Sequence, residues 1–282
     1  MTLCQENENQ TSIAMKKYII LSLCILGGYS AFAQLGSGMN QWKISSVGHQ
    51  HGMLMDEYQT MSIDWMRGHT KNEEVIAMEE GDYDIQNEAC VMGAQLGFNL
   101  GLSSTNLKNE EVSTSQEIRF SVNAVMGREA MVQYNETAEN NIDTKSTVFC
   151  LVDNEVNVSG AYLLKKRLWR LDFGAGLGGS VGTNFNPEML KIRSNSNGNL
   201  EEINNSSTTE TETYAAKNSV FGRIYVPLTV GIWMGDKLEF TVEHRIGTGA
   251  EKVIDGGTNK MGPSLAMLFG LRWHLDSFVA VK

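Results

Sequence analysis

Strict alternation of apolar and polar residues over two long stretches is the feature that most constrains this chain. In residues 168–185, one set of alternate positions is apolar and the other carries Arg170, Asp172 and several glycines. Residues 264–275 repeat the pattern, with Arg272 on the polar side. Successive side chains of a β-strand point to opposite faces, so both stretches are predicted strands. Because the polar faces carry full charges, those faces are not part of a dry core.

The same alternation predicts eight strands along the chain. They cover residues 61–66, 90–103, 116–127, 147–164, 168–185, 219–234, 238–246 and 264–275. Residues 165–167 and 235–237 are predicted tight turns, whereas the long, polar stretch 186–218 is predicted to be mobile because it buries too little apolar area. Pro227 predicts a bulge or weak pairing in its strand. Short and long connections alternate, which is typical of barrels with short periplasmic turns and longer extracellular loops.

The amino-terminal residues predict export. Residues 15–33 combine two lysines, a short apolar run and an Ala-x-Ala motif, which is the pattern of a secretory signal peptide. Residues 1–14 are therefore predicted to be a non-native upstream extension, and residues 34–59 a leader that packs into or under the barrel. The barrel itself is predicted over residues 60–276, with a tail at residues 277–282.

Charged residues on the polar strand faces bear on the choice between a soluble β-fold and a membrane barrel. Ten of them, five of each sign, are Arg119, Asp153, Glu155, Arg170, Asp172, Arg223, Glu239, Glu243, Arg245 and Arg272. A soluble barrel turns such residues to water, whereas an outer-membrane barrel turns them into its lumen, where opposite charges pair. The length of the apolar faces, the aromatic residues near strand ends and the signal peptide favour the membrane. We therefore predict that these ten residues form a lumen charge network.

The signal peptide, the eight alternating strands and a final strand that contains Phe269 and Trp273 resemble a known family. The chain is similar to the outer-membrane β-barrel (porin-like) family of Bacteroidota-type Gram-negative bacteria and, within that fold, to small OmpA/OmpX-type barrels. The resemblance implies an all-β, closed antiparallel up-and-down transmembrane barrel of about eight strands. It also implies location in the cell outer membrane, contact with outer-membrane lipid, and insertion by the barrel-assembly machinery.

We predict no catalytic, cofactor or metal site. Residues 174–179 match G-x-G-x-x-G, and residues 178–182 match G-x-S-x-G around Ser180. Both motifs require a helix to follow, and the strand alternation continues instead, so the glycines are interpreted as small lumen-facing positions. His49 and His51 lack the further ligands that a metal site needs. A formal net charge of −10 argues against nucleic acid as a partner.

The predicted function is non-enzymatic. An eight-stranded barrel leaves room only for side chains in its lumen, which indicates a structural or surface-interaction role rather than a large pore. Residues 186–218 are the candidate contact surface for an extracellular partner. Two alternatives stay open. One is a lipid-modifying barrel enzyme, for which Ser180 and His244 are candidates, and the other is a soluble secreted barrel that binds an apolar ligand.

Overall fold

The computed structural model describes residues 42–56, 63–72, 84–88, 91–104, 114–137, 143–197, 207–254 and 259–275. The described residues within Ile44–Ser103 and Leu107–Lys282 form one compact unit. The elements in chain order are β1 (Trp42–Asp56), α1 (Ile63–His69), β2 (Asp84–Glu88), β3 (Val91–Ser104), β4 (Thr114–Thr137), β5 (Asp143–Leu168), β6 (Leu171–Asn197), β7 (Ser207–Ala215), β8 (Ser219–Trp233), β9 (Leu238–Val253) and β10 (Asn259–His274). The predicted upstream extension, signal peptide and tail lie outside the described residues.

Eight of the ten strands in the described residues close into a barrel. Their hydrogen-bonded order is β4-β3-β1-β10-β9-β8-β6-β5, and β5 pairs with β4 to complete the ring. Barrel strands that follow one another in the chain are neighbours and run antiparallel, as in the long β5–β6 ladder. The last strand, β10, pairs antiparallel with the first, β1. The predicted fold class, a closed antiparallel up-and-down barrel of about eight strands, is confirmed.

The first barrel strand lies earlier in the chain than predicted. β1 occupies most of the segment 34–59, which was predicted to be a leader, and it pairs with β10 from Ser46 to Asp56. The predicted strand over residues 61–66 is wrong, because α1 begins at Ile63. Trp65 and Met66 are consecutive and both are buried. Consecutive side chains of one strand point to opposite faces, so a strand that exposes one face could not bury both.

Two tight turns lie at the same end of the barrel as the start of β1 and the end of β10, and we call this the terminal end. β5 and β6 are joined at Trp169 and Arg170, two to three residues after the predicted turn, and Trp169 adopts a left-handed φ of 55°. β8 and β9 are joined across residues 235–237, as predicted. The ladder between β6 and β8 skips Pro227 without a register shift. Proline has no N–H to donate, so pairing is weak there. The unchanged register shows that the strand has no bulge at this point.

Three strands continue past the barrel rim at the opposite end, which we call the extended end. β4, β5 and β6 have 24, 26 and 27 residues, whereas a spanning strand needs roughly 9–11. Beyond the rim, β2 pairs with β4 and β7 pairs with β6. The result is a five-stranded extension sheet in the order β2-β4-β5-β6-β7.

The extension sheet corrects the prediction that residues 186–218 are mobile. β6 continues to Asn197, and Ser207–Ala215 forms β7 against it. The prediction rested on the shortage of apolar residues and gave no weight to the threonines of β7, which favour a strand. Backbone pairing with the longer β6 therefore orders a segment that could not order itself.

The hydrophobic core of the extended end is formed where α1 packs on the extension sheet. Its buried residues are Trp65, Met66, Ala130, Val132, Phe149, Leu151, Met189 and Ala216. The backbone N–H of Lys217 donates to the carbonyl of His69 at 2.6 Å, which fixes the end of α1 beside β7. No helix in the described part of the chain is long and apolar enough to cross a membrane.

Candidate functional site

The barrel wall is apolar outside and polar inside. Along β8 the burial of side chains alternates over all 15 residues. Arg223 and Thr229 are buried in the interior, whereas Ile224, Val226 and Leu228 are exposed on the outer face. A closed barrel with this polarity satisfies its backbone within the wall and presents its apolar face to hydrocarbon. The chain is therefore an outer-membrane β-barrel.

Nine of the ten charged residues predicted to line the lumen are buried inside the barrel. They are Arg119, Asp153, Glu155, Asp172, Arg223, Glu239, Glu243, Arg245 and Arg272. The tenth, Arg170, lies exposed in the turn between β5 and β6, so its prediction as a lumen residue is wrong. Arg170 has the same parity as Asp172, but β6 begins only at Leu171. Asp172 is bound instead by Arg167, through two hydrogen bonds of 2.7 and 2.9 Å.

A first group of charges fills the terminal half of the lumen, and we call it the terminal cluster. Its members are Glu117, Arg119, Lys165, Glu239, Glu243, Arg245 and Arg272. Glu117 is contacted by three cations, at 2.9 Å by Arg119, 2.9 Å by Lys165 and 2.8 Å by Arg272. Arg119 also binds Glu243, which Arg245 holds from the other side at 2.6 Å. Each carboxylate therefore joins cations from different strands, which ties the walls together across the lumen.

A second group, the outer cluster, lies nearer the extended end. Its members are Asp56, Arg128, Asp153, Glu155 and Arg223. The guanidinium of Arg223 lies between two carboxylates, with 2.6 Å to Asp56 and 2.6 Å to Glu155. Arg128 approaches Glu155 at 3.1 Å and Asp153 at 3.4 Å. Planar guanidinium groups match carboxylates in two-point contacts, so this geometry suits arginine better than lysine.

A series of neutral amides crosses the middle of the lumen and ends at Glu155 of the outer cluster. Gln50 donates to Asn123 at 3.0 Å, Asn123 donates to Asn157 at 2.8 Å, and Asn157 donates to Glu155 at 2.8 Å. The cavity beside these amides, lined in part by Ser180 and Tyr225, has a volume of about 10 Å³. That is room for about one water molecule at most. Side chains therefore fill the lumen at this height.

Two of the glycines in 174–179, Gly174 and Gly178, lie where the sequence interpretation places them. A Cβ on Gly178 would overlap the ring of Tyr225, and a Cβ on Gly174 would overlap the hydroxyl of Thr229. Both glycines make space for larger side chains that reach into the lumen from β8. The interpretation as small lumen positions is confirmed for Gly174 and Gly178, which share their face with the buried Ser180. It is wrong for Gly179, which has the parity of the exposed residues Leu177 and Val181.

Several lumen residues were missed, each for an identifiable reason. Asp56 lies in the segment predicted to be a leader, and Lys165 lies in the predicted turn. Arg128 follows a register shift in β4 at Gly127, whose φ is +60°, and the shift changes which alternate residues face inward. Glu117 did carry a usable signal, because it is two residues from Arg119 and so shares its face.

α1 covers the lumen at the extended end through a buried ion pair, and we call it the lid. His69 is fully buried, with its Nδ1 2.7 Å from the carbonyl of Trp65 and its Nε2 2.9 Å from Glu251 on β9. Both ring nitrogens therefore have a partner, and the contact of Nε2 joins α1 to a buried carboxylate of the barrel wall.

Replacing His69 with leucine is expected to open the lid while leaving the barrel closed. Leucine is of similar size but apolar, so the change removes the hydrogen bond of His69 to the buried Glu251, which costs about 3–5 kcal/mol. Hydrogen exchange should therefore accelerate in residues 63–72, with little change in β8. Lys71→Leu is the control because Lys71 is exposed. Equal exchange in the two variants would show that the ion pair does not hold the lid.

Comparisons with known proteins give structural likenesses only. No protein-family model matches it, and no curated protein sequence matches it. Among solved structures it is similar to Neisserial surface protein A, with a TM-score of 0.31 and 11% identity over 83% of this chain and 98% of that chain. It is also similar to an outer membrane channel from Pseudomonas putida F1, with a TM-score of 0.18 and 8% identity over 84% of this chain and 98% of that chain. Both likenesses are distant, and the polarity of the barrel wall is what places this chain in the outer membrane.

Proposed function

We propose that this outer-membrane barrel is a non-enzymatic protein with a closed lumen and a structural or surface-interaction role. The observation that supports the proposal is the side-chain network that fills the lumen, where the cavity between the clusters holds only about 10 Å³. Every member of the outer cluster is buried and ion-paired. A lumen built in this way stabilises a closed wall and leaves no wide path for a solute.

The extension sheet and the lid are the proposed extracellular surface. Both tight turns lie at the terminal end, and short turns face the periplasm in barrels of this type. The extended end then projects from the cell, with β7 presenting the exposed side chains of Thr209, Glu210 and Thr211. An ordered sheet thus takes the place of the mobile loop as the proposed contact surface for an extracellular partner. Outer-membrane lipid around the wall and the barrel-assembly machinery during insertion belong to the same proposal.

The positions of Ser180 and His244 disfavour the lipid-modifying alternative. Ser180 is buried inside the lumen on β6, whereas His244 is exposed on the outer face of β9. A serine nucleophile needs its base within about 3 Å, and the barrel wall separates these two side chains. The soluble alternative needs an apolar interior for its ligand, and here the apolar face is outside.

The proposal predicts that the purified, folded protein neither conducts ions nor turns over lipid. In planar bilayers it should give no steady current, measured beside a general porin as the positive control. In phospholipid vesicles, product release should match the protein-free background for the wild type, Ser180→Ala and His244→Ala. A steady ohmic current would contradict the closed lumen. Turnover that either alanine variant abolishes would contradict the non-enzymatic role.

A further inference from the structure

Three of the chain's five histidines lie on the outer face of the barrel. His49 and His51 are on β1 and His244 is on β9, so they flank β10 from both sides. In the ladders His51 lies opposite Phe269 and His244 lies opposite Met267. We call this part of the wall the histidine wall. It consists of His49, His51, Met53, His244, Met267 and Phe269.

Within the histidine wall, His51 and His244 lie at a depth where the membrane is hydrocarbon, and His49, opposite Leu271, lies between them and the terminal boundary. Exposed Trp273 marks the terminal boundary on β10, because tryptophan prefers the membrane–water interface. Exposed Lys252 on β9 lies at the other boundary, near the extended end. Phe269 and Met267, the ladder partners of His51 and His244, lie between these two levels. Phospholipid head groups therefore lie above and below the imidazole rings, and acyl chains lie beside them.

Imidazole is poorly suited to this position unless something covers it. Its two nitrogens are polar, and ionisable side chains within a membrane almost always pair with other protein groups. Within the described residues these three rings make no hydrogen bond. The ring of His51 contacts that of Phe269, at a centroid separation of 6.2 Å. Acyl chains have neither donors nor acceptors, so a hydrogen-bonding partner for these rings has to be a protein group.

We propose that the histidine wall is the contact surface between two copies of this chain in the membrane. Two barrels inserted in the same direction are related by a two-fold axis parallel to the membrane normal. A residue near that axis therefore meets its own counterpart at the same depth. Neutral imidazole has one donor and one acceptor nitrogen, so it is complementary to a second imidazole at that depth. Arginine or aspartate in the same place would meet a like charge.

The side chains around the histidines are also suited to contact with a second copy of this chain. Met53 and Met267 are exposed, flexible and polarisable, and they can pack against an identical surface. On the opposite wall, β6 exposes Leu177 and Val181, which need only acyl chains as neighbours. This contact does not depend on the closed lumen of the proposed function, because the outer wall can associate with a second copy whatever fills the interior.

Disulfide trapping in native outer membranes tests this contact. In a Cys90→Ser, Cys150→Ser background, Met53→Cys should give disulfide-linked dimers on mild oxidation. Leu177→Cys is the matched control, because its side chain is 66% exposed, against 56% for Met53, and β6 lies across the ring from β1. Dimers from position 53 and monomers from position 177 are the expected result. Equal trapping at both positions, or none at position 53, would overturn the contact surface.

The dependence on imidazole is tested in the same Met53→Cys background. His49→Leu, His51→Leu and His244→Leu together should lower the dimer yield roughly tenfold, since each hydrogen bond lost within a membrane weakens association modestly. Leucine is compatible with lipid, and heat-modifiable gel mobility confirms that the variant is folded. His51→Leu alone is the second variant and should give an intermediate yield. Undiminished dimer in both variants would overturn the role of the rings.

Discussion

Arg223→Leu is expected to destabilise the folded barrel by about 3–5 kcal/mol. The guanidinium is the shared partner of Asp56 and Glu155, which come from strands on different sides of the lumen. Its loss leaves the buried Asp56 without its guanidinium partner, while the Ser264 hydroxyl still donates to it at 2.7 Å. Leucine fills part of the space but cannot neutralise either carboxylate. Urea unfolding in lipid vesicles, followed by tryptophan fluorescence, measures the change.

Arg193→Leu is the control for this prediction. Arg193 approaches Glu212 at 3.9 Å in the extension sheet, where their side chains are 46% and 43% exposed. Exposed ion pairs contribute little, so the expected change is within about 0.5 kcal/mol. If the two variants unfold at the same urea concentration, water reaches Arg223, and the lumen is not the closed network proposed above.

Gly176→Ala is expected to destabilise the barrel by about 3 kcal/mol or more, because the site is already filled by backbone. A Cβ on Gly176 would overlap the carbonyl oxygen of Tyr162 on the neighbouring strand β5. Unlike the end of a flexible side chain, this carbonyl belongs to the β5–β6 ladder and cannot move alone. The added methyl group must therefore separate the two strands. The fraction of folded barrel after refolding, measured by gel mobility before and after boiling, reports the loss.

Gly222→Ala is the matched control for the glycine prediction. A Cβ on Gly222 of β8 would have no neighbour within 4 Å. Replacing glycine with alanine where the backbone tolerates it restricts the unfolded chain, so stability should be unchanged or rise by up to about 1 kcal/mol. A similar loss in both variants would indicate that strand flexibility, rather than close approach of β5 and β6, explains why glycine occupies position 176.

Most of the barrel wall could be predicted from the sequence. Alternation located seven of the eight barrel strands, because a wall with lipid on one side and charges on the other imposes period two on every strand. Alternation did not predict β1, because His49 and His51 occupy outward positions where the other strands carry mostly apolar residues. The same histidines that obscure the pattern mark the proposed contact between copies.

The charged lumen was predicted less completely, because its geometry depends on details that alternation does not contain. A single bulge at Gly127 determines that Arg128 faces inward. The position of one turn determines that Arg167, and not Arg170, binds Asp172. The lid was not predicted at all, since α1 has only seven residues and its stability comes from packing on the extension sheet.

The lid also sets an order of events during assembly. His69 and Glu251 are separated by 182 positions in the chain, and β9 is held in the ring by β8 and β10. Contacts between such distant segments form late, because the intervening chain must first be organised. We expect the histidine to reach its carboxylate only after β10 has joined β1. The extended end of the lumen is then uncovered throughout insertion, and α1 packs over it as the final step. Docking of the lid would therefore mark a completed barrel.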